Sequence, residues 1–283
     1  MKKKGKVIIA GVIIAVLGVV VVICALGMSG WNANNLSDWE ENSYSATTEI
    51  YKLNVEANAG RVIIKHGATE EVYIKYQYND RYQPVITESA GVLTVKSAKT
   101  KWYAINLWFD TAPTIEIHVP QDSKPSIELE LNAGTVEFGE GNWGKSIRID
   151  VNAGTLNMGD VVVERLYVKL NAGAFSAGDL KCDDVSVYLN AGAFDVKEVV
   201  CDVFDCNVRA GAAEVKRLDS QIVKVTVSAG SVDLGLKGSQ TDYSVRVSKS
   251  AGSCNVSERP DTRAPRTLAI DISAGSVDVA FGK

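Results

Sequence analysis

The feature that most constrains this chain is an Ala-Gly dipeptide that recurs at nearly fixed spacing along its second half. Successive glycines are 19 or 20 residues apart as far as Gly230, and no helical pattern fills the intervals. Repeats of this length without helices are typical of a β-solenoid, in which each repeat forms one coil. The sequence therefore predicts an all-β protein, a parallel β-solenoid (β-helix) of about 19-residue coils. The repeated glycines are Gly134, Gly154, Gly173, Gly192, Gly211, Gly230, Gly252 and Gly275.

Apolar residues alternate on both sides of each repeated glycine. They occupy the second and fourth positions after it, as at Phe194 and Val196, and a further apolar residue lies at the seventh position. A second alternating segment, such as Leu166-Tyr167-Val168-Lys169-Leu170, leads into the next Ala-Gly. Each coil is thus predicted to offer two strands and a short apolar corner, and parallel stacking of coils would join their apolar faces into one column.

Asparagine and glycine are predicted to have structural roles at one corner of the coil. The glycine is expected where φ is positive or where a Cβ has no room. Stacked asparagines two residues earlier would bond amide to amide from coil to coil, although a polar recognition stripe is the alternative. The asparagines are Asn132, Asn152, Asn171 and Asn190.

The N-terminal residues differ from the rest. Four lysines among the first six residues precede an uncharged run of 22 residues, 7–28, which is long enough to cross a bilayer. The basic flank predicts a single-pass protein of the cell membrane with its N-terminus inside and its C-terminal domain extracytoplasmic. A cleaved signal peptide ending near Ala25-Leu26-Gly27 is the alternative.

Four segments follow from these patterns. Residues 1–30 are predicted to form a cytoplasmic basic tail and a transmembrane helix, and residues 31–47 a polar tether. Residues 48–130 contain strand-like runs of irregular spacing and are predicted to be an N-terminal β region or cap, in which Ala59-Gly60 and Ala90-Gly91 suggest the same winding. Residues 131–283 are predicted to be the regular solenoid repeats.

Charge and motif content exclude several classes of function. The chain beyond position 30 carries 34 acidic and 26 basic residues, a formal net charge of −8, which argues against nucleic-acid binding. The sequence has two histidines and lacks the common nucleophile, zinc-protease and phosphate-binding motifs, so we expect no enzyme and no cofactor. A polysaccharide-acting enzyme built on stacked carboxylates such as Asp183 and Asp202 stays as a minor alternative.

Two further rows of chemically active side chains follow from the repeat. Acidic residues six positions after four glycines should repel one another or recruit a divalent cation, unless they line a hydrated corner. Cys182 and Cys201, each nine positions after a glycine, are expected to be neighbours in adjacent coils, either bridged by a disulfide or stacked as buried thiols. The acidic residues are Glu140, Asp160, Asp179 and Glu198.

An aromatic segment lies outside the regular repeat. It could form a contact patch for a sugar, a peptide or a neighbouring subunit, or it could cap the open edge of the first coil. The C-terminal edge near Phe281 has no comparable cover in the sequence, which suggests self-association through the solenoid ends. The aromatic residues are Trp102, Tyr103, Trp108 and Phe109.

The apolar N-terminal run, the strand Ile117-His118-Val119-Pro120 and the serial Asn/Ser-Ala-Gly repeats together resemble the bacterial "putative adhesin" family of β-strand-repeat domains of unknown function. The resemblance covers residues 48–283 and implies the fold, with no catalytic residues to carry over. We therefore expect a membrane-anchored, adhesin-like module that binds a surface polymer or protein. The alternative is a cell-envelope stress or regulatory scaffold that binds membrane partners.

Overall fold

The computed structural model describes residues 39–79, 82–97 and 113–282, and these residues are dominated by β-strands. A 3-10 helix, Gln240–Asp242, interrupts them between the eleventh and twelfth strands. The strands of the described residues are β1 (Glu40–Ser45), β2 (Lys52–Ala57), β3 (Gly60–Gly67), β4 (Tyr73–Tyr78), β5 (Val85–Ser89), β6 (Val92–Lys96), β7 (Thr114–Pro120), β8 (Ser126–Phe138), β9 (Gly141–Met158), β10 (Val161–Leu189), β11 (Gly192–Leu236), β12 (Tyr243–Lys249), β13 (Ser253–Cys254) and β14 (Arg266–Phe281).

The chain winds as parallel coils with the predicted repeat. Leu156 of β9 pairs with Phe175 of β10, and Phe175 pairs with Phe194 of β11, so the register advances by 19 residues per coil. The longest strands run through more than one side of a coil because the backbone stays extended as it turns the corners. The predicted β-solenoid is therefore the architecture of the described residues.

The prediction of a transmembrane helix in front of the solenoid is corrected. Within residues 39–79, 82–97 and 113–282, no helix has the length and apolar character that a membrane crossing requires. Residues 7–28, on which that prediction falls, lie outside the described residues. The fold class that the structure supports for the described residues is all-β.

The core is a single apolar column inside the coils. The alternating positions predicted from the sequence point inward: Phe175 and Phe194 are each 1% exposed, and their ring centroids lie 5.1 Å apart in adjacent coils. Burying a side chain of this size stabilises the fold by about 1.5–3 kcal/mol. Since one coil cannot enclose its own apolar side chains, this stabilisation depends on the neighbouring coils.

A column of glycines forms one corner of the solenoid. A Cβ added to any of them would lie 1.9–2.4 Å from the carbonyl oxygen of the residue below it in the column, which is far inside van der Waals contact. All but Gly230 also have positive φ angles, between 118° and 154°. Only glycine satisfies both conditions. From the N-terminal end, the order above Pro113 is Gly60, Gly134, Gly154, Gly173, Gly192, Gly211, Gly230, Gly275 and Gly252.

An asparagine ladder runs beside the glycine column. In each step the side-chain amide Nδ2 donates to the Oδ1 of the asparagine in the preceding coil, at distances of 2.5–3.0 Å. The ladder begins one coil earlier than the sequence analysis suggested, because Asn58 accepts the bond from Asn132. Its members are Asn58, Asn132, Asn152, Asn171 and Asn190.

Coil order in space differs from chain order at both ends. Strands β2 and β3 lie between the coil of β6 and β7 and the coil that contains β8. At the other end, β14 lies between β11 and β12. The first part of the C-terminal strand is therefore internal, and Phe281 packs against the fully buried Tyr243 at 5.6 Å between ring centroids.

The N-terminal region departs from regular coils in two places. Gly60 belongs to the glycine column, but Ala90 and Gly91 have φ angles of 48° and 71° and form the tight turn of the β5–β6 hairpin. Antiparallel strands β1 and β4 extend the edge of β7, so part of the predicted tether is a strand. These antiparallel strands cover the edge of the parallel sheet at this end.

Glu88, at the end of β5, connects this edge to the start of the described chain. Its carboxylate accepts hydrogen bonds from the hydroxyls of Thr48 (2.5 Å), Tyr44 (2.7 Å) and Thr47 (2.9 Å), and from the Thr47 backbone N–H (2.9 Å). The hydrogen bonds from Thr48, Tyr44 and the Thr47 backbone stabilise the ionised form and lower the pKa of Glu88 to about 2. An ionised Glu88 therefore helps to hold β1 on the edge.

Replacing Gly173 by alanine should strongly destabilise the solenoid. The new Cβ would lie 1.9 Å from the Gly154 carbonyl oxygen, on a residue with φ of 149°. We expect the free energy of unfolding, measured in urea, to fall by about 3 kcal/mol or more. The control is Ala172→Ser, an exposed neighbour that should change it by less than about 0.5 kcal/mol. A Gly173→Ala protein as stable as the control would contradict the steric argument.

Acid should weaken the N-terminal edge through Glu88. Its folded pKa of about 2 lies below the ordinary value of 4.5, so its stabilisation is present above pH 4.5 and is lost as the pH falls toward 2. We expect Glu88→Gln to lower the urea midpoint at pH 7, and the difference from the unsubstituted protein to shrink below pH 4.5. Glu70→Gln, at an exposed turn, is the control. A difference that does not depend on pH would contradict this role.

Candidate functional site

One side of the solenoid is the sheet that leads into the glycine corner. We call it the long face. Its outward side chains form two columns, because outward residues alternate with buried ones along every strand. The strand segments that build it, in spatial order, are 93–96, 53–57, 127–131, 147–151, 166–170, 185–189, 204–208, 223–227, 268–272 and 245–249.

Three side chains from adjacent coils stack on the long face. The guanidinium carbon of Arg148 lies 3.9 Å from the centroid of the Tyr167 ring, and the Tyr167 and Tyr188 rings lie 5.4 Å apart at 35°. Asp150 holds the other side of the guanidinium, with Nη2 at 2.9 Å from Oδ2. We call Arg148, Tyr167 and Tyr188 the aromatic row.

The electrostatic setting keeps Arg148 charged. Partial burial opposes the charge, but Asp150 and the Tyr167 hydroxyl outweigh it and raise the pKa of Arg148. A cation over an aromatic face contributes about 0.5–1 kcal/mol at exposed sites. The aromatic row is therefore held in place before any ligand arrives, while Tyr188 stays 36% exposed.

Polar side chains surround the aromatic row. Lys169 lies in the same coil as Tyr167, and Ser186 in the same coil as Tyr188. Asp205 and Asn207 come next in the two columns, opposite Ser186 and Tyr188 in the register. The surface thus combines flat rings with hydrogen-bond donors and acceptors at the spacing of the strands, about 4.8 Å.

Sequence reasoning missed the aromatic row. Its two tyrosines occupy the outward thirteenth position after Gly154 and the outward fifteenth after Gly173. The outward positions of successive coils, placed side by side, contain two aromatic residues in neighbouring columns. The sequence predictions rested instead on the inward positions and on the aromatic cluster near residue 105.

The aromatic segment that was favoured as a contact or cap cannot be placed. Its residues fall within 98–112, which lie outside the described residues. That segment joins β6 to β7 in the coil at the N-terminal end of the stack. The prediction for Trp102, Tyr103, Trp108 and Phe109 therefore stays a prediction.

Two members of the acidic row are paired with cations of the next coil. Lys197 lies 2.9 Å from the carboxylate of Asp179, and Arg217 lies 2.6 Å from that of Glu198. The Asp160 carboxylate accepts the backbone N–H of Asp179 at 2.9 Å. Across residues 39–79, 82–97 and 113–282, no three His, Cys, Asp or Glu side chains are grouped to hold a metal ion. The cation site at Glu140, Asp160, Asp179 and Glu198 stays a prediction.

The two stacked cysteines are free thiols. Cys182 and Cys201 lie in neighbouring coils, and no disulfide joins them, so the structure has the second of the two predicted alternatives. Burial raises the pKa of Cys182 to about 12 and that of Cys201 to about 11. Thiols with such pKa values carry little thiolate at neutral pH and are poor nucleophiles.

The residues considered for catalysis are engaged in packing and local bonds. The His66 ring stacks on Trp143 with 4.0 Å between centroids, and Nε2 of His118 lies 3.1 Å from Glu116. Asp202 accepts a hydrogen bond from Gln221 at 3.0 Å. These contacts stabilise the coils.

Solved structures share this fold. A "putative adhesin" from Parabacteroides merdae ATCC 43184 has a TM-score of 0.53 and 14% identity, over 87% of this chain and 97% of that one. A "putative adhesin" from Bacteroides fragilis NCTC 9343 has a TM-score of 0.45 and 14% identity, over 86% and 97%. A "Putative lipid binding protein" from Parabacteroides distasonis ATCC 8503 has a TM-score of 0.47 and 12% identity, over 86% and 97%.

No curated protein matches the chain in sequence. One family matches: the family described as "Toastrack DUF4097" matches residues 50–279, which run from just before β2 into β14. This match agrees with the resemblance that the Asn/Ser-Ala-Gly repeats suggested. By this match over most of its length, the chain belongs to the Toastrack DUF4097 family.

Proposed function

We propose that this chain is an adhesin-like surface-binding module that acts outside the cytoplasm and binds a surface polymer through its long face. The observation that carries the proposal is the aromatic row, in which Arg148, Tyr167 and Tyr188 are stacked on the sheet, with Arg148 and Tyr188 exposed and Tyr167 half-buried. The proposal involves neither catalysis nor a cofactor, and the acidic character of the chain disfavours nucleic acid as the partner.

Tyrosine has properties that suit a binding surface. It presents a large apolar ring with a polar tip, and it loses little conformational entropy when a ligand covers it. The C–H faces of sugar rings can pack on such a ring, while their hydroxyls bond to polar neighbours such as Lys169 and Asn207. A surface glycan is therefore the polymer that best fits the aromatic row.

Rigidity also favours binding at this face. The strands beneath the row are paired on both sides, and the Arg148–Asp150 ion pair fixes the stack from one end. A preorganised site loses less ordering entropy on binding than a flexible loop would. The names of the solved neighbours, "putative adhesin" in two cases, are consistent with a surface role.

The test is binding of the full-length chain to soluble polysaccharides, measured by affinity electrophoresis in gels with hydroxyethyl cellulose, glycol chitin or polygalacturonate. Tyr188→Ala should weaken binding to the retained polymer about tenfold, because an aromatic contact contributes about 0.5–1.5 kcal/mol. Tyr167→Ala should weaken it further, since Tyr167 also supports Tyr188 and Arg148.

The control is Tyr51→Ala, because Tyr51 is 61% exposed but lies outside the aromatic row. Circular dichroism and urea unfolding establish that each variant keeps its fold. Equal losses for Tyr51→Ala and Tyr188→Ala, or no loss for Tyr188→Ala, would reject the long face as the binding surface. Retention of none of the polymers would count against a glycan partner.

A further inference from the structure

A second feature lies on the long face, toward the C-terminal end of the stack. Ala269 of β14 sits between Lys224 of β11 and Arg246 of β12, one strand away from each. Its small side chain lies between two long ones and leaves a shallow groove. The groove is lined by Lys224, Thr226, Arg246, Ser248, Glu258, Ala269 and Asp271, with the backbone of Val225, Val247 and Ile270 beneath.

The two cations across this groove form no ion pair within the part of the chain that the structure describes. Among the ion pairs within residues 39–79, 82–97 and 113–282, none involves Lys224 or Arg246. Both side chains are exposed. This contrasts with Lys197 and Arg217 on another side of the coils, which pair with Asp179 and Glu198.

The spacing of the two cations suits a single anionic group. Their strands are separated by two strand spacings, about 9.6 Å, with only Ala269 between them. An oxyanion above Ala269 could accept a bond of about 2.7–2.9 Å from each side chain. The hydroxyls of Thr226 and Ser248, one position along on the same face, would serve as additional donors.

The groove and the aromatic row belong to the same two columns of the long face. Following the 19-residue period, Ser186 and Asp205 separate Tyr167 from Lys224, and Asn207 alone separates Tyr188 from Thr226. Tyr188 therefore lies two strand spacings, about 9.6 Å, from Thr226. A polymer lying along the solenoid axis would contact the rings and the groove at once.

We propose that the ligand of the long face is an acidic glycan, whose carboxylate is held between Lys224 and Arg246 above Ala269 while its sugar rings stack on Tyr167 and Tyr188. This inference rests on the proposed glycan-binding function and adds the charge of the ligand. The other charged groups of the groove, Glu258 and Asp271, oppose the anion, and they limit its position to the column of Lys224 and Arg246.

The test compares two polymers with one backbone, polygalacturonate and its fully methyl-esterified form, with the full-length chain and affinity electrophoresis. We expect the charged polymer to bind at least tenfold more tightly at low salt, and this preference to decline as salt screens the contacts. The Lys224→Ala/Arg246→Ala protein should lose the preference and bind both polymers alike. Asp271→Asn should increase it.

Lys181→Ala is the matched control, because Lys181 is exposed and forms none of the described ion pairs but lies on another side of the coil. It should leave the preference unchanged. Equal binding of both polymers to the unsubstituted protein, or a preference that survives the double substitution, would overturn the acidic-glycan assignment while the aromatic site stands. Binding of neither polymer would overturn both proposals.

A preference that depends on Lys224 and Arg246 but does not change in Tyr188→Ala would support the groove and reject the aromatic row. Because the substituted cations are exposed, loss of folding is not expected, and urea unfolding of each variant verifies this. The four outcomes thus distinguish the charge of the ligand from the surface that binds it.

Discussion

The close approach of successive backbones at the glycine corner is the constraint on which the rest of the structure depends. Each glycine has the carbonyl oxygen of the preceding one where a Cβ would otherwise be, so the coils can stack in only one register at this corner. Once the corner is aligned, the 19-residue period brings like positions over one another on every side of the coil. The apolar column, the asparagine ladder and the outward columns all follow from this alignment.

The same alignment makes the surface chemically repetitive, so side chains that differ from the repeat are easily recognised. Some outward charges find a partner in the next coil, as Glu198 does with Arg217. The long face carries two features of a different kind, one where tyrosines stack and one where two cations flank an alanine. Because the sheet beneath is rigid, the side chains of these two features are held in fixed positions. We therefore propose that these two features serve function and that the repeat provides stability.

The chain ends show how a repeat protein terminates its stack. At each end the outermost coil comes from an excursion of the chain: β6 and β7 lie outside β2 and β3, and β12 lies outside β14. Antiparallel strands at the N-terminal end and the fully buried Tyr243 near the C-terminal end replace the contacts that a further coil would have provided. Such termination restricts strand addition at exposed edges, although it leaves the lateral faces open for ligands.

Much of the fold was predictable because its determinants are local and periodic: the spacing of Gly154 and Gly173 defines the coil, and the alternation around Phe175 defines its interior. The sequence by itself determined the all-β solenoid, its period and its asparagine ladder. Only the tertiary structure decided the order of the end coils, the hairpin at Ala90-Gly91, the free thiols and the ion pair of Asp179 with Lys197. These depend on which non-consecutive segments pair and which side chains meet across coils, and such long-range contacts leave no periodic signal in the chain.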